Sequence, residues 1–396
     1  MSARFPAAVT PPAAGGGGAG GGGGGGGART VSSETGVSER RVSQFGPGIS
    51  RNSPGAAAAA RLLSSMSLSE FVERKVLAKF CSACGKESDA VKTCTACKCV
   101  WYCDVTCQKN HRDEHKQECK LIKKVLDKRG GQFDLGTELD IGPLGKLPPR
   151  EECPICMRML PVHTMLHTYN ACCGKTICGG CDWQHELMSQ ELVAKRGQPP
   201  VPRTCAFCRT PVPKSDEEML ARKRQKAELK DRNAMRSIGF DYRFGRLGLP
   251  VDHAKCIDLF RESAALGDPI ALCQLGYFND TGAMGIEQSK EKALRYFKKA
   301  AECGDLVSLH NIGCVKGGNG APVAAMLHWR LSASGGYKRS MESLLTFFEF
   351  GLLHHGDLAE TLRAFYLARA EMKSDDRDEF IEYLKENGEY KEEYER

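Results

Sequence analysis

Nowhere does the 396-residue chain hold the roughly 20 uninterrupted apolar residues that a membrane-spanning helix requires. Nor does its start pair a basic segment with an apolar run. These absences point to a soluble, intracellular protein, cytoplasmic or nuclear, without a membrane partner. No glycine loop is set between a strand and a helix to cradle phosphate, and no nucleophile stands at a recognisable spacing from a base. Concentrated positive charge is missing too. The formal charge of +7 is spread over the chain, which argues against nucleic acid as a partner. The densest basic run, Arg222 to Lys226, reads as a solvated helix face rather than a nuclear address. Large apolar residues are scarce in residues 1–60, where glycine runs from Gly15 to Gly27 broken only by Ala19. Such a segment cannot bury enough surface to offset its ordering entropy, so a disordered tail is expected there.

What the chain has in abundance is cysteine: 20 residues, 16 of them between Cys81 and Cys208 and mostly in C-x2-C pairs. In a reducing compartment that pattern points to metal rather than disulfides. A helix over 61–80, carried by Leu68, Phe71, Val72, Val76 and Leu77, is expected to lead into a first module over 81–119. There Cys81, Cys84, Cys94, Cys97, Cys103, Cys107, His115 and Cys119 supply eight ligands in 39 residues, enough for two tetrahedral zinc ions. Residues 120–149, rich in glycine and proline, read as a linker. A second module over 150–212 repeats the arithmetic with Cys153, Cys156, Cys172, Cys173, Cys178, Cys181, Cys205 and Cys208. A helix from about Gln184 to Lys195, ended by Gly197 and Pro199, separates its third and fourth pairs. Neither module is large enough to hold itself together by burial. Structural zinc would contribute on the order of 10 to 16 kcal/mol of folding energy to each such site.

Beyond Pro213 the pattern turns helical and repeats itself. Ile238-Gly239, Leu275-Gly276 and Ile312-Gly313 are spaced 37 residues apart, followed six positions after each glycine by Gly245, Gly282 and Asn319, which would close a first helix. A second helix carries Phe260, Phe297 and Trp329, each four residues before an alanine: Ala264, Ala301 and Ala333. Gly267-Asp268, Gly304-Asp305 and Gly335-Gly336 mark the ends of these second helices. The third unit is five residues shorter, and the frame continues at Leu345, Gly351 and Phe365. A helix pair of this size cannot bury its apolar face alone, so neighbours must stack into an all-α solenoid over 213–396. Cys256, Cys273, Cys303 and Cys314 fall inside its helices, where a small buried hydrophobe is the expected role.

The ligand order of the first module, with Tyr102 before Cys103, Gln108 after Cys107 and Lys116 after His115, resembles the MYND zinc finger. The resemblance implies interleaved sites, Cys81, Cys84, Cys103 and Cys107 on one ion and Cys94, Cys97, His115 and Cys119 on the other, leaving Cys99 and His111 as non-ligands. It also implies a peptide-binding tryptophan three residues before the ligand histidine, where this chain has Arg112. The strings CPIC, CCGKTICGGC and CAFCR resemble a RING finger of an all-cysteine kind. That implies Cys153, Cys156, Cys178 and Cys181 on one ion, and Cys172, Cys173, Cys205 and Cys208 on the other. Lys175 stands where most RING fingers have a histidine, so either the adjacent cysteines or His163 or His167 complete the second site. By the same resemblance Ile155, Trp183 and Arg209 would contact a ubiquitin-conjugating enzyme. The repeats resemble the Sel-like subclass of tetratricopeptide-related arrays, which implies a protein-binding scaffold. Together the modules suggest a zinc-binding interaction adaptor, or alternatively a RING-type ubiquitin ligase with the repeats as substrate receptor. No stretch resembles the catalytic domain of the lysine methyltransferases that carry a MYND finger.

Overall fold

In a computed structural model of the chain, residues 79–196 and 203–390 are described, apart from 135, 137, 138, 141 and 143. The expected tail, nearly all of the helix expected over 61–80, and the helix terminators Gly197 and Pro199 lie outside the described residues.

The first module is a short hairpin, β1 (Lys92–Thr93) against β2 (Trp101–Tyr102), followed by α1 (Val105–Asn110) and α2 (Arg112–Lys128). Asp104 caps α1 by accepting from the Cys107 amide, which sets the turn between Cys103 and Cys107. The second module pairs β3 (His167–Asn170) with β4 (Lys175–Cys178) in antiparallel register, His167 opposite Cys178, and feeds directly into α3 (Gly179–Arg196). That helix begins five residues before the start expected from sequence, because Cys178 ends the strand and the chain turns at once into its first turn.

Ten helices follow among the described residues: α4 (Asp216–Glu228), α5 (Arg232–Phe244), α6 (His253–Ala265), α7 (Pro269–Thr281), α8 (Lys290–Glu302), α9 (Leu306–Gly318), α10 (Pro322–Ser334), α11 (Lys338–Glu349), α12 (His355–Met372) and α13 (Asp375–Glu386). The repeat is visible in its punctuation. Asp231, Asp268 and Asp305 cap α5, α7 and α9 by accepting backbone amides, and Gly245 and Gly282 close α5 and α7 in the left-handed conformation. Asp252 and Ser289 cap α6 and α8, while the shortened third unit replaces that cap with Pro322 at the first turn of α10.

The glycines inside the first helices explain the aromatic signature of the second. A Cβ on Gly239 would lie 2.7 Å from the Phe260 ring, on Gly276 2.5 Å from Phe297, and on Gly313 2.5 Å from Nε1 of Trp329. Each repeat thus presses an aromatic ring onto bare backbone, which sets the distance between its two helices. Three of the four helical cysteines, Cys256, Cys273 and Cys314, are buried as expected; Cys303 is exposed, because it occupies the C-cap of α8 rather than an inward helical position.

Residues 120–149 do more than connect. The helix that carries Cys119 runs on to Lys128, and the segment after it straps across the array. Leu139 donates its amide to Leu352, Arg330 donates to the Gly142 carbonyl, and Leu147 packs among α9 and α10. The first module and the end of the array share one core, in which Ile122, Val125 and Leu126 of α2 join Met341, Leu344, Phe348, Leu358, Leu362 and Phe365.

Candidate metal centres

Four C-x2-C pairs form the same local turn. In each, the amide four residues after the first cysteine donates back to that cysteine's carbonyl: Gly85 to Cys81, Lys98 to Cys94, Met157 to Cys153 and Arg209 to Cys205. All four of those residues have positive φ, between 55° and 68°. Only the first is glycine, so Lys98, Met157 and Arg209 accept a strained backbone to aim two thiols at one point. Short bridges, Phe80 with Glu87, Glu152 with Met159 and Thr204 with Pro211, clamp three of these turns.

These turns meet helices and strands that bring the remaining ligands. His115 and Cys119 are one turn apart on α2, and Cys178 and Cys181 bracket the start of α3. Cys172 and Cys173 sit in the β3–β4 turn, where Gly174 supplies the positive φ of 71°. Four groups result whose ligand atoms lie within 4.8 Å of one another: Cys81, Cys84, Cys103 and Cys107; Cys94, Cys97, His115 and Cys119; Cys153, Cys156, Cys178 and Cys181; Cys172, Cys173, Cys205 and Cys208. Thiolates around one zinc at about 2.3 Å stand about 3.8 Å apart along a tetrahedral edge. Cys84 and Cys103 are 3.7 Å apart, Cys94 and Cys119 3.8 Å, Cys156 and Cys178 3.9 Å, and Cys173 and Cys205 3.9 Å. The donor sets therefore fit zinc in number, chemistry and spacing.

Residues set aside in the sequence have other partners. Cys99 is buried between the Cys97 carbonyl and His355. His111 stacks beside His115 and bonds the Tyr102 hydroxyl, and burial pulls its pKa down to about 4. Of the two histidines weighed for the second module, His167 contacts the Pro161 carbonyl and burial pulls it down to about 4, while His163 accepts from the Met165 amide. The structure brings Cys172 and Cys173 together with Cys205 and Cys208, and neither histidine joins them.

The three residues expected to meet a ubiquitin-conjugating enzyme are not equally available. Ile155 is 40% exposed, and Arg209 is exposed with its guanidinium 2.9 Å from Nδ1 of His185. Trp183 instead packs against the chain's own α13, with ring centroids 6.3 Å from Phe380 and 5.6 Å from Tyr383. Gly179 and Gly180 let α13 approach so closely that a Cβ on either would collide with it, and Gln184 bonds Glu379. Nothing near Trp183 in the sequence signals this cover, since it comes from residues about 200 positions later.

The helical array also reaches residues of these cysteine and histidine groups. His115 has Nε2 3.3 Å from Cys97 Sγ and Nδ1 3.2 Å from the Tyr366 hydroxyl of α12. Arg377 of α13 donates Nη2 to Cys156 Sγ at 3.4 Å. Arg363 donates to the Cys99 carbonyl and lies over the Trp101 ring.

Among described residues no helix is long and apolar enough to cross a membrane. Residues 81–119 match the MYND finger family, and residues 233–268 and 269–305 match the Sel1 repeat. A 53-residue stretch is 40% identical to the histone-lysine N-methyltransferase ASHR1 of Arabidopsis thaliana, covering 13% of this chain and 11% of that protein. Two solved structures are similar to part of the chain at TM-score 0.34: a Sel1 repeat protein from Oxalobacter formigenes, 20% identical over 54% of this chain and 83% of that one, and a protective antigen of uropathogenic Escherichia coli displaying an SLR fold, 19% identical over 52% and 42%. The chain thus contains a zinc-binding MYND finger at 81–119 and Sel1 repeats at 233–305, with a second cysteine-rich module suited to zinc between them.

Proposed function

We propose that this chain is a zinc-dependent protein-interaction adaptor, in which four structural zinc ions rigidify two small modules and a Sel1-type array presents the partner surface. The ligands would be Cys81, Cys84, Cys103 and Cys107; Cys94, Cys97, His115 and Cys119; Cys153, Cys156, Cys178 and Cys181; and Cys172, Cys173, Cys205 and Cys208. When bound, zinc supplies cross-links that the small cores cannot. The observation that carries the reading is the packing of both modules against one helical array, which makes a rigid scaffold rather than a set of loosely strung parts. A groove of about 950 Å³ between α6, the Ala283–Gly285 turn and α8 is a fitting place for a partner segment. Its cations Arg261, Lys292, Arg295 and Lys299 outnumber its carboxylates Asp258 and Glu287, which suits a segment bearing acidic residues.

The second reading, a RING-type ubiquitin ligase, draws support from the exposure of Ile155 and Arg209, whereas the packing of Trp183 under α13 opposes it. The deciding experiment is native mass spectrometry of the zinc-loaded full chain, followed by ubiquitin transfer assays with a panel of conjugating enzymes. Four ions without chain formation is the adaptor outcome. Ubiquitin chains that vanish in Arg209→Ala while all ions remain would replace the adaptor with the ligase.

A further inference from the structure

In each zinc module a ligand side chain is hydrogen-bonded to a residue of helix α12 or α13. In the first module, His115 must turn a bare Nε2 lone pair toward the metal, which requires its single N–H to sit on Nδ1. The oxygen that takes that proton belongs to Tyr366, 3.2 Å away. Tyr366 is only 2% exposed, and its ring stands edge-on to His111 and His115 at an interplanar angle of 85° to each, so the hydroxyl has no freedom to swing aside. In the second module, Arg377 is 5% exposed and its Nη1 is held by the carbonyls of Met159 and Met372 at 2.8 and 2.7 Å. That grip leaves Nη2 aimed at Cys156 Sγ, 3.4 Å away. A zinc ion held by four thiolates carries excess negative charge, and a fixed guanidinium beside one sulfur offsets it.

We propose that Tyr366 and Arg377 are positioning residues for zinc, so that the helical array completes one metal site in each module, and metal retention depends on helices α12 and α13. The proposal rests on the ligand assignment above. Tyr366 selects the histidine tautomer that binds metal; Arg377, held at Nη1 by two carbonyls, fixes the Cys156 sulfur in place through its Nη2. Both effects act through the ligand, not through contact with the ion.

The test uses the zinc-loaded full chain, with ions counted by native mass spectrometry and their release followed with a chromophoric chelator. Tyr366→Phe keeps the ring and removes one oxygen. One ion should then leave about 10- to 100-fold faster, the usual effect of losing an outer-shell partner, while the other ions keep their wild-type rates. Arg377→Lys should do the same to a single, different ion, since an ammonium cannot span both carbonyls and the sulfur. Arg363→Met is the control: Arg363 docks the first module through the Cys99 carbonyl and the Trp101 ring without touching a ligand atom. It should lower the unfolding midpoint and leave release rates alone. Release from Tyr366→Phe at wild-type rates for every ion overturns the proposal, as does equal acceleration by Arg363→Met, which would make docking alone responsible. Wild-type protein lacking the ion at Cys94, Cys97, His115 and Cys119 would instead defeat the ligand assignment, and the stoichiometry shows this before any variant is compared.

Discussion

Replacing Gly276 by alanine tests the reason for the repeated glycine directly. The new Cβ would lie 2.5 and 2.6 Å from two carbons of the Phe297 ring, about 1 Å inside the optimal carbon separation. Phe297 is 1% exposed and cannot yield without displacing Leu272 and Leu309, with which it shares a core. Overpacking of this kind costs about 1 to 3 kcal/mol, and the gain in helix propensity returns only about 0.5 to 1 kcal/mol. Net destabilisation of about 1 to 2 kcal/mol is expected, a fall of roughly 2 to 8 °C in Tm for a region of this size. Gly318 provides the opposite sign: it ends α9 with nothing within 4 Å of the place a Cβ would take, so Gly318→Ala should be neutral or stabilising by up to about 0.5 kcal/mol. Urea and thermal unfolding of the zinc-saturated protein would measure both. In the double variant Gly276→Ala/Phe297→Leu the clash is relieved, and a coupling energy of about 1 kcal/mol or more is expected. Equal effects of Gly276→Ala and Gly318→Ala, or additive behaviour in the double variant, would refute the idea that the ring sets the helix spacing.

Three other outcomes follow from the geometry. Cys97→Ser should lose one zinc ion and unfold the MYND finger, whereas Cys99→Ser, at a thiol outside the metal groups, should retain the wild-type ion count by native mass spectrometry. Arg330, 1% exposed, binds Asp357, Glu360, Thr361 and the Gly142 carbonyl; Arg330→Ala strands these groups and should cost about 3 kcal/mol in urea unfolding, at the lower end for a buried pair because Glu360 is partly solvated. His310 is buried against Ser340 and Cys314, and burial pulls its pKa down from 6.5 to about 3. The folded protein therefore binds fewer protons than the unfolded one between those values, and stability contributed by the neutral ring is present above pH 6.5 and lost as pH falls toward 3. His310→Gln should flatten that slope between pH 7.5 and 5.5, read as the difference from wild type so that acid loss of zinc cancels.

The four groups were foreshadowed in two ways: four of the five C-x2-C pairs fold into the same local turn, and the interleaved pairing is what the resemblance to MYND and RING fingers implied. The repeat was legible for a similar reason, since Gly239, Gly276 and Gly313 recur with the aromatics that cover them. What the sequence did not reveal depends on residues far apart. The cover over Trp183 comes from Phe380 and Tyr383, and the strap from Leu139 to Leu147 finds its partners in α9 to α12. Positive φ at Lys98, Met157 and Arg209 also gave no compositional sign, because the turn imposes a conformation these side chains do not favour.

The shared core between the finger and the last helices has a consequence for synthesis. His115 and Tyr366 are 251 residues apart, and translation at roughly 5 to 20 residues per second places about 12 to 50 seconds between them. Throughout that interval α2 emerges with Ile122, Val125 and Leu126 uncovered, so the finger can take up its metal early yet keeps a naked apolar face until α11 and α12 have been made. A fragment cut after the second module would retain that bare face permanently, and chaperone dependence or aggregation during expression should track how late α11 and α12 arrive.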